Sequence, residues 1–291
     1  MSESVKGMHE ATRLCPRQRA RYSLVFLAGI CLLAVSGFGQ ENYAIEVYGA
    51  ETLSRSENAV ALHSNYTFDG VGYPSEQADR SEHSLHETVE LTHGFTDWFE
   101  TGLYTLTSSK SAYGFQYVGN HIRPRVRVPE RWHWPVGISL ALEVGYQRPR
   151  FAPDSWTLEL APIVDRHVGP WYLAFNPTFD RSLHGLNSGN GFEFSPNFKV
   201  NRSICRLARA GIEYYSGYGP LGDFDPLTRQ QHQLFPTLDL ELPGKWEVNF
   251  GYGIGLTDGA SEQMLKLIIS RHFGGRHFGG RHFGGKGQGK D

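Results

Sequence analysis

The chain has 291 residues, a formal net charge of -2 and a mean hydropathy of -0.39. A helical membrane protein is excluded, since each span needs roughly 20 mostly apolar residues and the one apolar run of note lies at 22–35. The near-neutral balance and the lack of an extended basic tract point away from nucleic acid, while 13% aromatic residues and 34 glycines suit a β-barrel with aromatic girdles and a lumen that needs room.

In chain order, the first predicted element is a secretory signal peptide over residues 1–39. Arg13, Arg17, Arg19 and Arg21 precede the apolar run, and small residues with Gly37 and Gly39 follow it, which is the charged, apolar and small-residue order of a cleaved signal. An uncleaved anchor helix is the competing reading, and the shortness of the run speaks against it. Cys15 and Cys31 fall inside the signal, so Cys205 stands alone in the mature chain and no intramolecular disulfide forms. Residues 40–58 are read as an N-terminal periplasmic segment, 59–273 as the barrel and 274–291 as a flexible Gly-rich tail.

From about Val60 the residues alternate strictly. Val60, Leu62, Tyr66 and Phe68 face one way and His63, Asn65 and Thr67 the other. Further strands are predicted near 84–94, 97–107, 114–127, 134–147, 155–165, 170–181, 191–201, 206–216, 230–241, 245–256 and 262–273. In 134–147 the outward set is Val136, Ile138, Leu140, Leu142, Val144 and Tyr146, with Gly137, Ser139, Ala141, Glu143, Gly145 and Gln147 between them. Apolar on every second residue and polar or small in between is the pattern of a strand that faces lipid on one side and a wet interior on the other. The fold class is therefore all-β, a twelve-stranded antiparallel up-and-down transmembrane barrel.

The connections alternate in length. Residues 95–97, 166–169, 201–205 and 243–244 are short, whereas 69–83, 181–190 and 217–229 are long. Outer-membrane barrels have short periplasmic turns and longer outside loops, so both ends of the barrel chain are expected on the periplasmic side. Trp98, Trp134, Trp171 and Trp246 sit near the first residues of strands that follow short turns, as does Trp132. They are predicted to form the interface girdle, where a ring with one wet and one apolar end prefers to lie. A soluble β-sandwich would also bury tryptophans, but its strands average nearer five or six residues.

The last strand, 263–273, ends on Phe273 with alternating apolar residues before it, which resembles the C-terminal signal read by the barrel-assembly machinery. Arg-His-Phe-Gly-Gly then repeats from Arg271, Arg276 and Arg281. This Gly-rich tail has no apolar periodicity. His272, His277 and His282 could hold a metal weakly, though repeat expansion without function is the preferred reading, and no metal or other cofactor is assigned.

Charges predicted to face inward include Glu90, Glu100, Glu143, Glu159, Asp165, Asp180, Glu193, Lys199, Asp239, Glu241 and Glu247. Arg123, Arg125 and Arg127 share one face of the fourth strand, with Ile122, Val126 and Val128 on the other. Such a row makes a cationic track that selects anions, or it pairs with the lumen carboxylates; both readings stand at this point. The pore-lining candidates are Arg123, Arg125, Arg127, Glu143, Glu159 and Glu247. No catalytic residue is assigned: Gly-x-Ser-x-Gly, phosphate-loop and metal-helix motifs are absent, and Ser81/His83, Ser182/His184 and Ser270/His272 are pairs that chance supplies.

Three segments carry a resemblance: His93-Gly-Phe-Thr-Asp-Trp-Phe-Glu-Thr-Gly-Leu103, Gly211-Ile-Glu-Tyr-Tyr-Ser-Gly-Tyr-Gly219 and Trp246-Glu-Val-Asn-Phe-Gly-Tyr-Gly-Ile-Gly-Leu-Thr-Asp-Gly259. In these, and in texture over 42–273, the chain resembles the outer-membrane barrels grouped as transporter-like or phenol MetA-pathway proteins. The resemblance implies a Gram-negative outer-membrane location and passage of small organic molecules, and it transfers no site residue. The expectation is a non-enzymatic channel for small, anionic or aromatic solutes, with outer-membrane lipid and the solute as partners and no nucleic acid. The alternatives are a non-conducting structural or surface-interaction barrel and, further off, an outer-membrane hydrolase.

Overall fold

The computed structural model describes residues 43–71 and 78–275. The predicted signal and most of the predicted tail lie outside the described residues. Twelve strands form one closed antiparallel barrel in which each pairs with its neighbours in sequence, and the first pairs with the last. They are β1 (Glu57–Val71), β2 (Ser84–Thr96), β3 (Phe99–Lys110), β4 (Gly114–Arg127), β5 (Gly137–Gln147) and β6 (Asp154–Val168). The second half comprises β7 (Trp171–Gly185), β8 (Glu193–Cys205), β9 (Ala208–Gly217), β10 (Gln231–Leu242), β11 (Trp246–Gly255) and β12 (Ser261–Gly274). Closure is made by a long ladder running from Glu57 opposite Gly274 to Thr67 opposite Met264. It leaves no exposed sheet edge, the condition for a sheet to span lipid.

The alternation translates directly into facing. Along β3, Leu103 is 52% exposed while Glu100 is 4% exposed, and in β1 His63, Asn65 and Thr67 are fully buried. Val60, Leu62, Val89, Leu91, Ile122, Val126, Leu140, Leu142, Val200 and Ile254 are all open on the outside. An apolar outer wall around a polar interior is the inverse of a water-soluble sheet protein, and it is stable only in a hydrocarbon surround.

The connections sort into two ends. One end has the turns 97–98, 169–170, 206–207 and 243–245, and the other has the connections 72–83, 148–153, 186–192, 218–230 and 256–260. Two connections depart from this sorting: 111–113 is short at the loop end, and 128–136 is long at the turn end. The latter holds a single 3-10 turn (Glu130–Trp132), closed by His133 at φ 50. Pro129 and Pro135 flank it, and a proline cannot donate to a ladder, so β5 starts at Gly137 rather than at 134 and Trp134 sits before the strand.

Over the described part of residues 40–58, expected from the sequence as an N-terminal periplasmic segment, the chain packs against the inner wall of the barrel. Residues 43–53 run through the lumen in extended form, and β1 already begins at Glu57. Tyr43, Ile45, Val47, Ala50 and Leu53 are buried. Ile45 and Val47 pack with Tyr172, Ala174, Tyr215, Phe235 and Met264; Tyr43 packs with Tyr104, Leu106 and Val118; Ala50 packs with Ala141, Ala161 and Ile163. The apolar clusters of the interior are thus built around this segment, and burial of Ile45 and Val47 stabilises its seat by roughly 1.5–3 kcal/mol each.

Candidate functional site

The lumen segment has no ladder partner, so its peptide groups need acceptors and donors from elsewhere. Lumen side chains supply them. Asn176 accepts from Tyr48 N at 2.7 Å and donates to Tyr48 O at 3.0 Å, reproducing the pair of bonds a neighbouring strand would make. Tyr43 O accepts from Asn65 and Thr88, and Ile45 O from Lys266. Asp165 accepts from Ala50 N at 2.9 Å and Glu100 from Leu53 N at 2.5 Å. Arg125 donates to Gly49 O at 3.0 Å and Glu51 O at 2.7 Å. Residues from seven strands therefore hold this segment through side-chain hydrogen bonds.

The arginine row points into the barrel, and each guanidinium is paired. Arg123 lies between two rings, 3.9 Å from the Tyr48 centroid and 4.5 Å from that of Tyr104. It also lies within 3.9 Å of Glu90 and 3.8 Å of Glu143. Arg125 is held by Glu100 at 2.5 Å, and Arg127 by Glu130 at 3.1 Å near the turn end. The row does not stand as a free cationic track, and of the two readings of these residues the geometry matches pairing. Arg123 in turn locks Tyr48 by a cation–π contact, which is worth more in a desolvated setting than at a surface.

Of the other sequence candidates, Glu143 binds His121 Nδ1 at 2.6 Å, and Glu159 lies opposite it on the next strand. Glu247 is set apart near the turn end, 3.4 Å from His272. Arg123, Glu143 and Glu159 converge on a cavity of ≈ 80 Å³ beside the segment, whose lining also includes Glu46, Tyr48 and Asp180. Charged groups around it are four carboxylates, Glu46, Glu143, Glu159 and Asp180, against two guanidinium groups, Arg123 and Arg181. The space accommodates a few water molecules.

A second charged cluster fastens the opposite wall. Lys199 lies 3.0 Å from both Glu213 and Asp239, while Lys266 contacts Glu213 and Tyr215. Lys266 and Glu213 are completely buried. Breaking such a buried pair by removing one partner costs about 3–5 kcal/mol, and the Lys266 of this pair also donates to Ile45 O.

The tryptophans Trp98, Trp134, Trp171 and Trp246 are 47%, 51%, 45% and 40% exposed and sit at the turn end. Glu46, Tyr48 and Asn176 escaped the list of sequence candidates. For Glu46 and Tyr48 the signal was a short alternation in 43–48, Tyr43, Ile45 and Val47 against Ala44, Glu46 and Tyr48, but nothing in it says that the stretch folds inside the barrel, and Asn176 is one polar inward position among many on its strand.

No protein-family model matches the chain, and no curated protein matches it. Among solved structures, the COG4313 outer membrane channel from Pseudomonas putida F1 is similar at a TM-score of 0.54 and 14% identity, covering 79% of this chain and 100% of that one. The KdgM porin gives a TM-score of 0.47 at 9% identity over 74% of this chain and 99% of its own. The Acinetobacter baumannii outer membrane protein Omp33 gives 0.41 at 9% identity over 78% of this chain and 100% of its own. At these identities the likeness is one of fold, that of outer-membrane β-barrels.

Proposed function

We propose that the protein is an outer-membrane channel of a Gram-negative type cell, closed at rest by residues 43–53 and selective for small cationic or polar solutes once that segment yields. One observation carries the reading: the lumen holds a chain segment fastened by side-chain contacts from the wall, and the space left beside it is lined by four carboxylates against two guanidinium groups. A wall strand cannot leave without opening the ladder, whereas a segment without ladder bonds can shift while the barrel stays whole. The channel named in the similar Pseudomonas putida structure supports the same class of role.

The preference for anions read from Arg123, Arg125 and Arg127 gives way to one for cations, because each of these charges is neutralised by a nearby carboxylate and the surplus is negative. Charge rings of one sign set the selectivity of narrow pores. Charge matching and apolar packing in the lumen also favour the second reading, a non-conducting structural barrel.

Planar bilayers separate the two. The full chain is expected to give small, infrequent cation-selective currents in a salt gradient, and a variant lacking residues 43–53 larger and steadier ones. Silence from both, with each barrel folded by its heat-modifiable mobility on gels, would establish the structural reading instead.

A further inference from the structure

We propose that Glu46, His63 and Glu90 form a binding site for a divalent transition cation of the zinc class, which ties the lumen segment to the barrel wall. One ligand atom can be taken from each residue so that all three lie within 4.8 Å of one another. The three come from different places: Glu46 from the lumen segment, His63 from β1 and Glu90 from β2, so a shared ion would be a crosslink between segment and wall.

The donor set has the right chemistry. One imidazole and two carboxylates suit zinc, and the fourth position would be taken by water in a catalytic-type open site. That water can stand beside the site, because Glu46 also lines the cavity of ≈ 80 Å³.

Two observations bear on the geometry. His63 is fully buried and its Nε2 lies 3.0 Å from Glu90 Oε2. An ion entering there would take Nε2 and Oε2 as ligands in place of their mutual hydrogen bond, since ligands about 2.0–2.2 Å from zinc stand roughly 3 Å or a little more from each other. Glu46, for its part, has no hydrogen bond or ion pair among the described residues, although Ile45 O before it and the N–H and C=O of Tyr48 after it are all bonded.

The surrounding charges favour a cation. Arg123 reaches Glu90 only at 3.9 Å, and it is shared with Glu143 and held by two tyrosine rings. The Glu90 Oε1 atom is committed to Thr92 and Tyr104, which leaves Oε2 on the side of His63. Glu143, Glu159 and Asp180 line the same cavity and, with Glu46, outnumber its Arg123 and Arg181, while Arg123 and Lys199 are the cations that act on Glu46 itself.

The test is zinc binding to the full chain in detergent, by titration calorimetry and by retention against a chelator of graded strength. Because His272, His277 and His282 could bind metal on their own, a full-length variant with all three changed to Gln is measured in parallel. The expected result is one tightly held zinc in the wild type and in the tail variant, weakened at least about tenfold in Glu46→Gln and in His63→Gln. Glu46→Gln lies outside the wall, so its fold is secure on gels even if His63→Gln fails to insert. Equal zinc retention in Glu46→Gln and wild type, or loss of the zinc in the tail variant, overturns the site. The consequence for gating rests on the channel reading, and conductance distinguishes the two. Zinc that binds through Glu46 without reducing the current leaves the site standing and removes the gate.

Discussion

Gly94 is where β2 passes under the chain that leads from the lumen segment into β1. Ser56 N donates to Gly94 O at 2.7 Å, and a Cβ at Gly94 would lie 2.2 Å from Ser54 O and 3.0 Å from Leu53. The neighbour is backbone, so it cannot swing aside as a flexible side chain would. Gly94→Ala is expected to push residues 53–56 off the wall at a cost of about 1–3 kcal/mol, read as a lower melting midpoint of heat-modifiable mobility and more frequent channel openings. A second residue of this kind is Asp225 in the loop 218–230, whose carboxyl is raised above its ordinary value by burial, against the opposing pull of Arg229. A raised carboxyl binds its proton more tightly in the packed loop than in the loosened one, so this contribution to packing is full at low pH and fades as pH rises through the ordinary value to the raised one. Asp225→Asn should therefore slow tryptic cleavage after Arg229 at pH 7.5 relative to wild type, with the difference shrinking in acid. Equal cleavage at both pH values would show that the buried charge does not loosen the loop.

At the scale of elements, the lumen segment behaves as an extra extended chain without a sheet. Its inward-turned residues Ile45 and Val47 fill the gap between Tyr172, Tyr215, Phe235 and Met264. Truncating Ile45 to alanine removes buried methyl groups and leaves a void that the surrounding wall cannot collapse into, a loss of about 2–5 kcal/mol. Every 1.4 kcal/mol is roughly a tenfold shift in an equilibrium, so Ile45→Ala with Val47→Ala should raise open probability at least about tenfold while leaving barrel mobility on gels unchanged. An unchanged open probability would mean that the polar grip of Asn176, Arg125 and Asp165 holds the segment by itself.

At the scale of the whole molecule, the two ends of the barrel set an orientation. The loops 186–192 and 218–230 lie at one end, and the turns 97–98 and 206–207 at the other with the start of β1. Barrels of this class place short turns on the periplasmic side. Cys205 is a free and exposed thiol beside the turn 206–207 and serves as a natural probe. An impermeant maleimide added to intact cells is expected to leave wild type unlabelled and to label Leu227→Cys, where the side chain is 67% exposed. Asp97→Cys should behave like wild type. Labelling of Cys205 from outside with silence at Leu227→Cys would reverse the orientation.

Facing and strand number were legible in the residues themselves, because lipid and lumen each impose their own preference on every second position. Even the weakly patterned stretches at 84–94 and 206–216 are strands, β2 and β9. The start of β5 was not, since the apolar alternation in 134–147 continues across Pro135 while the ladder cannot. The alternation of Tyr43, Ile45 and Val47 marked an extended segment and nothing more, because a pattern of period two does not say whether its partner is a strand, lipid or a ring of side chains. Arg125 illustrates the same limit: its inward face follows from spacing, but its bonds to Gly49 and Glu51 join residues 76 and 74 positions apart. The sequence by itself determined a lipid-facing barrel with a charged interior, since those properties are written one residue at a time. Only the tertiary structure decided that the interior is occupied and its arginines matched, because closing the sheet is what brings distant carboxylates, guanidinium groups and the lumen segment within bonding reach.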